Sequence, residues 1–434
     1  MLTNEMFNQE ASFAHSLDAA DPLAPLRKRF HAPPGTIYLL ANSLGLLPDS
    51  AEESANRVMD EWRRLAIGGW LDGTPPWFYL AERTGEAAAA LVGASPDEVV
   101  CTGTTTFNIH SLISTFYRPA SGRTKIIAAA PDFPTDIYAL KSQISLHDLD
   151  WRDHLVLIEP DAAGIVDEDA IIEAVTATDG TAVVQLPAVF YRSGQLLDME
   201  RLTSAAHERS VPIGFDCSHS VGVVPHLFDE WGVDFAVWCG YKYLCGGPGA
   251  PGFIYLNRKH FDREPGIAGW FGYVKERQFD LSLDFEHARC AGGWQVSSPG
   301  IIGAAALAGA IEVVREAGID RIREKSLRMT AYLMYLADEL LAGAPFDFEV
   351  LTPREPQRRG GHVALTRDED ALRVKEALGR RGVVADFRPP NVVRLAPSPL
   401  HTGYYDIWQV VQHIRDIIKS GEHKTFAPPD RPIS

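Results

Sequence analysis

The chain has 434 residues, more than one hydrophobic core ordinarily serves, so a large domain with a smaller companion is the expectation. A formal net charge of −16 excludes the basic footprint that nucleic-acid binding needs, and no apolar run is long enough to cross a bilayer. The five cysteines are odd in number and form no CxxC pair, and the first 22 residues lack the basic and apolar regions of a secretory signal, so a reduced, cytoplasmic setting is expected.

Residues up to about Pro34 are polar and turn-rich and read as an N-terminal arm or short helix. A short strand follows from Ile37, running into a turn at Asn42, Ser43 and Gly45 and stopped by Pro48. Apolar spacing from Ser50 to Leu65 predicts a helix. Trp70 and Trp77 then bracket the loop GGWLDGTPPW, where packing is the ordinary use of an aromatic and a substrate-pocket wall the alternative.

The stretch VVCTGTTTFNIH (Val99 to His110) predicts a strand end, a Gly/Thr turn and a helix start. Thr104, Thr105 and Thr106 bring hydroxyls beside the free N–H groups of a helix N-terminus, which suits an anion, although plain capping uses the same residues. A strand from Lys125 to Ala129 has Phe133, Pro134 and Asp136 at its exit. Phe133 either stacks on a flat ring or belongs to the core; Asp136 either meets a ligand or caps a helix beginning at Ile137. Val183 to Leu186 is another buried strand, followed by a helix reaching about Glu208. Alternation of strands and helices from here through Val237 indicates βαβ units and a mostly parallel sheet.

Two apolar runs dominate the middle of the chain. Val211 to Phe215 ends on Asp216, and Val233 to Cys239 ends just before Tyr241 and Lys242. Ligands of such sheets collect at the carboxyl ends of the strands, so the acid and the lysine face one crevice. Lysine forms a Schiff base with pyridoxal phosphate (PLP), and a carboxylate keeps the pyridine nitrogen protonated; His219 is placed to lie near the ring. The bland alternative makes Asp216 a helix cap and Lys242 a solvated loop residue, but the neighbours of Lys242 are aromatic, apolar or glycine. GGPGAPG matches GxGxxG by letter, yet Pro248 and Pro251 interrupt it and FIYL reads as a strand, so a turn allowing close approach to a cofactor replaces a dinucleotide fingerprint.

A long helix, Gly300 to Ala317, leads to a region with strands around His362 to Leu365, Val383 to Ala385 and Val392 to Leu395. Arg394 lies on an apolar strand and needs an acidic partner there: either an internal salt bridge or, as a bidentate clamp, a substrate α-carboxylate. No zinc-type spacing and no GxSxG elbow occur, so no metal site is expected.

GFDCSHSVGVVP, WGVDFAVWCGYKYLCGGPGAP and GWFGY closely resemble kynureninases, PLP enzymes of fold type I, and the likeness runs from about Ile37 to Ile418. It implies an α/β fold with a mostly parallel seven-stranded sheet flanked by helices, plus a smaller α+β C-terminal domain. The implied division is an arm with part of the small domain (1–48), the PLP-binding domain (49–310) and the small domain (311–434). By the same resemblance Lys242, Tyr241 and Asp216 are catalytic, and Thr105, Thr106 and Tyr241 hold the PLP phosphate. Phe133, Asp136 and His219 meet the ring, and Trp270 and Ser298 come across the interface of a homodimer that shares its active sites. Asn42, Trp70, Ser297 and Arg394 bind substrate. The implied reaction is hydrolytic cleavage of the β–γ bond of L-kynurenine or 3-hydroxy-L-kynurenine to an anthranilate and L-alanine. Three positions depart from the family pattern: Tyr273 where histidine is frequent, Pro187 in place of a small polar residue, and Pro75 and Pro76 where an arginine commonly precedes the tryptophan. A ring-modified kynurenine, or another fold-type-I reaction such as transamination or desulfuration, therefore stays open.

Overall fold

The structure is a computed structural model that describes residues 7–426; residues 1–6 and 427–434, the ends of the expected arm and small domain, lie outside the described residues. Seven strands form the main sheet: β1 (Val99–Cys101), β2 (Lys125–Ala129), β3 (Leu155–Ile158), β4 (Thr181–Pro187), β5 (Ile213–Asp216), β6 (Phe235–Cys239) and β7 (Gly252–Leu256). Their spatial order is β1-β7-β6-β5-β4-β2-β3. Only β7 runs against its neighbours β1 and β6; the pairings among β6, β5, β4, β2 and β3 are all parallel.

The strands read as continuous apolar runs because both faces of the sheet are covered. Side chains alternate across a strand, so each run divides between two cores. Ile127, Ala129, Val184, Ala236, Trp238, Phe253 and Tyr255 join the core under the helices Asp49–Leu65 and Ile301–Ala317. Ile126, Ala128, Val183, Phe235, Val237, Ile254 and Leu256 join the opposite core, beneath the helices Thr105–Phe116 and Pro134–Ser145. Two expected strands start late. β5 begins at Ile213 rather than Val211, since Pro212 has no N–H for a ladder. β6 begins at Phe235 rather than Val233; just before it the Asp234 carboxylate accepts from the Ile213 N–H at 2.8 Å. Gly214 of β5 has no side chain because a Cβ there would overlap the Phe235 ring.

A second, antiparallel sheet holds β8 (Glu349–Val350), β9 (Val363–Thr366), β10 (Asp386–Arg388) and β11 (Val392–Leu395), in the order β8-β9-β11-β10. The helices Ile319–Leu341, Ala371–Arg380 and Tyr404–Ser420 cover it around a core that also takes Ala14 and Leu17 from the N-terminal helix Ala11–Ala19. The early strand Ile37–Tyr38 pairs in parallel with Val383–Val384, and Leu40 bridges to Ala396. Chain ends distant in sequence thus frame the turn that follows, Asn42 to Gly45.

Candidate active site

The carboxyl ends of the parallel strands converge on one pocket. Thr105 and Thr106 come from the turn after β1, Phe133 from the exit of β2, Asp216 from the end of β5 and His219 from the loop behind it; Tyr241 and Lys242 follow β6. Asp132, Thr135, Pro187, Val189, Tyr191 and Ser218 fill the spaces between them. The lysine turn is held from outside by the N-terminal segment: the Gly45 N–H donates to the Tyr241 carbonyl at 2.8 Å. A Cβ on Gly45 would sit 2.8 Å from Cys245 Cα and collide with the Lys242 carbonyl, so only glycine allows this contact. Asn42, on the same turn, is buried with neither side-chain nitrogen nor oxygen partnered, but it is not among the residues lining the pocket.

The pocket is rich in buried polar groups that lack partners. Asp216 accepts from the Ser218 N–H at 2.7 Å. Asp136 is not among the residues lining the pocket: it is completely buried, no N–H or hydroxyl donor reaches either of its oxygens, and its carboxyl meets that of Asp216. Burial, then the charges of Asp132 and Asp216, holds its carboxyl well above the usual range, with Lys242 pulling the other way. Burial, then the nearby Lys242 charge, pushes His219 well below the ordinary histidine range, so the ring is neutral, and its Nδ1 has no partner. Burial, then Cys239, pushes the Tyr241 phenol up, so it remains an O–H donor. Thr104 does the capping, accepting from the Phe107 N–H at 3.4 Å, which leaves the Thr105 hydroxyl buried and unpartnered. The Thr106 hydroxyl pairs with that of Thr135 at 2.7 Å. The donor set fits PLP: a helix start with an orphan hydroxyl for phosphate, buried acids for a ring N–H, and an amine within the same walls.

Several expectations change. The helix after β2 begins at Pro134, so Asp136 lies inside its first turn and makes no capping bond. Phe133 is not core: it is 46% exposed, with its ring edge-on to Tyr191 at 5.2 Å between centroids. For Arg394 the internal pair is realised. Its Nε donates to Asp386 Oδ1 at 2.7 Å, Nη2 meets Asp386 Oδ2, and Nη1 donates to the Tyr191 carbonyl at 2.5 Å. That last bond ties the clamp candidate to a residue of the pocket wall.

Trp70, Trp270, Ser297 and Ser298 are not at this pocket. They gather elsewhere, around Phe271: its ring lies 6.0 Å from Trp70 and 5.8 Å from Trp270. Gly269 packs so closely on Val296 that a Cβ would collide with that backbone, which brings the exposed Ser297 and Ser298 beside the tryptophan. Trp270 is 49% exposed and donates to the Gln278 carbonyl at 3.2 Å. The exposed aromatic surface continues through Phe279, 5.6 Å from Trp270, while Trp70 leads to Trp77, which lines a shallow apolar hollow with Trp62 and Ile302. Tyr273, the departure in GWFGY, is buried and its hydroxyl accepts from Arg277 at 3.0 Å.

Sequence reasoning passed over Asp132, Thr135 and Tyr191. Asp132 had a signal: it stands just past the end of β2, the same position logic that singled out Asp216.

A family model described as the kynureninase C-terminal domain matches residues 322–414. A kynureninase of Geobacillus thermodenitrificans is 47% identical over 415 residues, covering 96% of each chain. One from Bacillus thuringiensis subsp. konkukian is 47% identical over 422 residues, covering 97% of each. Among solved structures, the apo cysteine desulfurase of Thermococcus onnurineus superposes with a TM-score of 0.77 at 19% identity, covering 91% of this chain and 98% of its own. A lysine-to-alanine mutant of C-DES, with glycine covalently linked to its PLP cofactor, gives 0.77 at 15% identity over 90% and 99%. These structures share the fold-type-I architecture. The near-complete overlap with relatives at 47% identity decides the family: the chain belongs to the kynureninases, PLP-dependent hydrolases that act on carbon–carbon bonds in ketonic substances.

Proposed function

We propose that the chain cleaves the β–γ bond of L-kynurenine or 3-hydroxy-L-kynurenine, releasing an anthranilate and L-alanine. The convergence of Lys242, Asp216 and the Thr105–Thr106 helix start on one pocket carries this reading. Bound PLP supplies the electron sink that makes the carbon–carbon bond breakable. Lys242 takes the proton from the substrate Cα once its amine is free. Asp216, with the buried Asp136 carboxyl against it, would keep a proton on the ring nitrogen, and His219 and Phe133 would hold the ring. Thr105, Thr106 and Tyr241 would hold the phosphate, and the neutral Tyr241 hydroxyl can give a proton to the γ-carbonyl oxygen and recover one from the adding water. Arg394, held by Asp386 and by the carbonyl of Tyr191 in the pocket wall, would take the α-carboxylate together with Asn42.

The aryl end is assigned to a neighbouring copy. Exposed Trp62, Trp270 and Phe279 form an apolar surface of the kind that marks a protein interface. In a homodimer Trp70, Trp270, Ser297 and Ser298 of one protomer would complete the other's pocket. The division into 1–48, 49–310 and 311–434 and a cytoplasmic location belong to the same proposal. A ring-modified substrate loses one of its supports, because the Tyr273 hydroxyl is engaged by Arg277.

The test is anthranilate fluorescence after addition of L-kynurenine or 3-hydroxy-L-kynurenine to the PLP-loaded protein. Growth with either, absent in Lys242→Ala, is expected. PLP bound without product from either compound would overturn the substrate assignment.

A further inference from the structure

Three carboxyl groups, not two, meet behind the lysine. Asp132 stands on the loop after β2, is 6% exposed and lines the pocket with Asp216, Lys242 and Phe133. Its Oδ1 accepts from the Phe133 N–H at 2.7 Å, while Oδ2 is buried without a partner. An ionised oxygen left so would carry its full desolvation penalty.

We propose that Asp132 belongs to the cofactor site as an uncharged carboxylic acid, offering Oδ2–H as a hydrogen-bond donor to bound PLP instead of adding another counter-charge. The inference rests on the PLP reading above. Acids crowded into one dry site do not all ionise, and a carboxyl held neutral becomes a donor. Burial, then the Asp216 charge, pushes the Asp132 carboxyl well above the usual range. Asp136 adds a third acid from the helix after β2; Lys242 is the one ammonium lining the pocket; His219 is neutral; Tyr241, Thr105, Thr106 and Thr135 carry no charge. Arg388 and Arg394, on β10 and β11, are engaged by Asp386. One ammonium shares the pocket with two carboxyls, a third is buried beside them, and Asp216, already stabilised by the Ser218 N–H, is the group suited to remain ionised.

The experiment follows the PLP-loaded protein by its visible absorbance across pH and by PLP affinity in wild type, Asp132→Asn and Asp132→Ala. Asparagine keeps the acceptor for Phe133 N–H and presents a neutral donor in place of the acid. Its absorbance midpoint should stay within about 0.3 pH units of wild type and its PLP affinity within about threefold. Alanine should bind PLP roughly tenfold or more weakly, the loss expected for one buried donor. An asparagine midpoint lower by about one unit or more would show that an anion had been removed and would overturn the proposal. So would an alanine variant that is only less heat-stable, with affinity and midpoint unmoved, since Asp132 would then serve the turn alone. Wild type that takes up no PLP would instead sink the underlying reading, a result separate from either.

Discussion

The Lys242 pocket and the Trp270 face solve opposite problems. In the pocket, polar groups are withdrawn from water with partners missing: Asp132 Oδ2, the Thr105 hydroxyl and His219 Nδ1. On the face, apolar rings are left in water with their hydrogen bonds already made, as Trp270 does with Gln278. Each is costly alone, and in complementary ways. Orphaned buried polar atoms call for a polar ligand; an uncovered aromatic surface calls for another protein surface. Under the proposed function, the pocket is assembled by the fold of one chain and the aromatic face is what a second copy would use.

The largest effect should come from the pocket. Lys242→Ala should fold normally and lose turnover by about 10³-fold or more, measured as anthranilate release. Arg394→Ala should destabilise the protein by about 3 kcal/mol in urea unfolding, since it leaves Asp386 buried with only Arg388 at 3.1 Å. A smaller effect depends on pH. Burial, then Arg394, pushes His362 down to about 3, and its ring stands 5.8 Å from that of His219. Between pH 6.5 and 3 the unfolded chain binds a proton that the folded site refuses, so stability is complete above 6.5 and falls as pH drops. His362→Asn should remove about 1.4 kcal/mol of the stability lost between about pH 7.5 and 5.5, read from urea unfolding at both values. On the other region the smallest effect is expected: Tyr273→His should change kcat/KM by less than about threefold, because the hydroxyl it removes faces Arg277 and not the pocket.

The parallel sheet was legible because both of its faces are buried. Lys125–Ala129 matches residue for residue, since an uninterrupted apolar run bounded by turns leaves little choice. Leu155–Ile158 escaped notice: this edge strand is half-covered and follows the charged helix Trp151–His154. β10, Asp386–Arg388, was hidden for another reason, since two of its three residues are charged: Asp386 pairs with both Arg394 and Arg388. In the site, strand-end logic found Asp216 and Lys242 but gave no view of side-chain direction. Asp132 was missed although it stands past a strand end, because its chemistry depends on Asp216, which only the fold brings near. The separation of Trp270 from the lysine was expected only through the family resemblance, and that of Trp70 was not expected, for spacing along the chain says nothing about which pocket a residue serves.

The division between pocket and face is tested most directly by complementation. Lys242→Ala protein and a Trp70→Ala/Trp270→Ala double variant, each inactive alone, are unfolded, mixed in equal amounts and refolded together. If sites are shared between copies, random pairing gives half heterodimers with one native site each, and about a quarter of wild-type activity should return. No activity above that of the separate variants, in a mixture shown by mass to contain heterodimers, would mean that lysine and tryptophans act within one chain, and the account would fall.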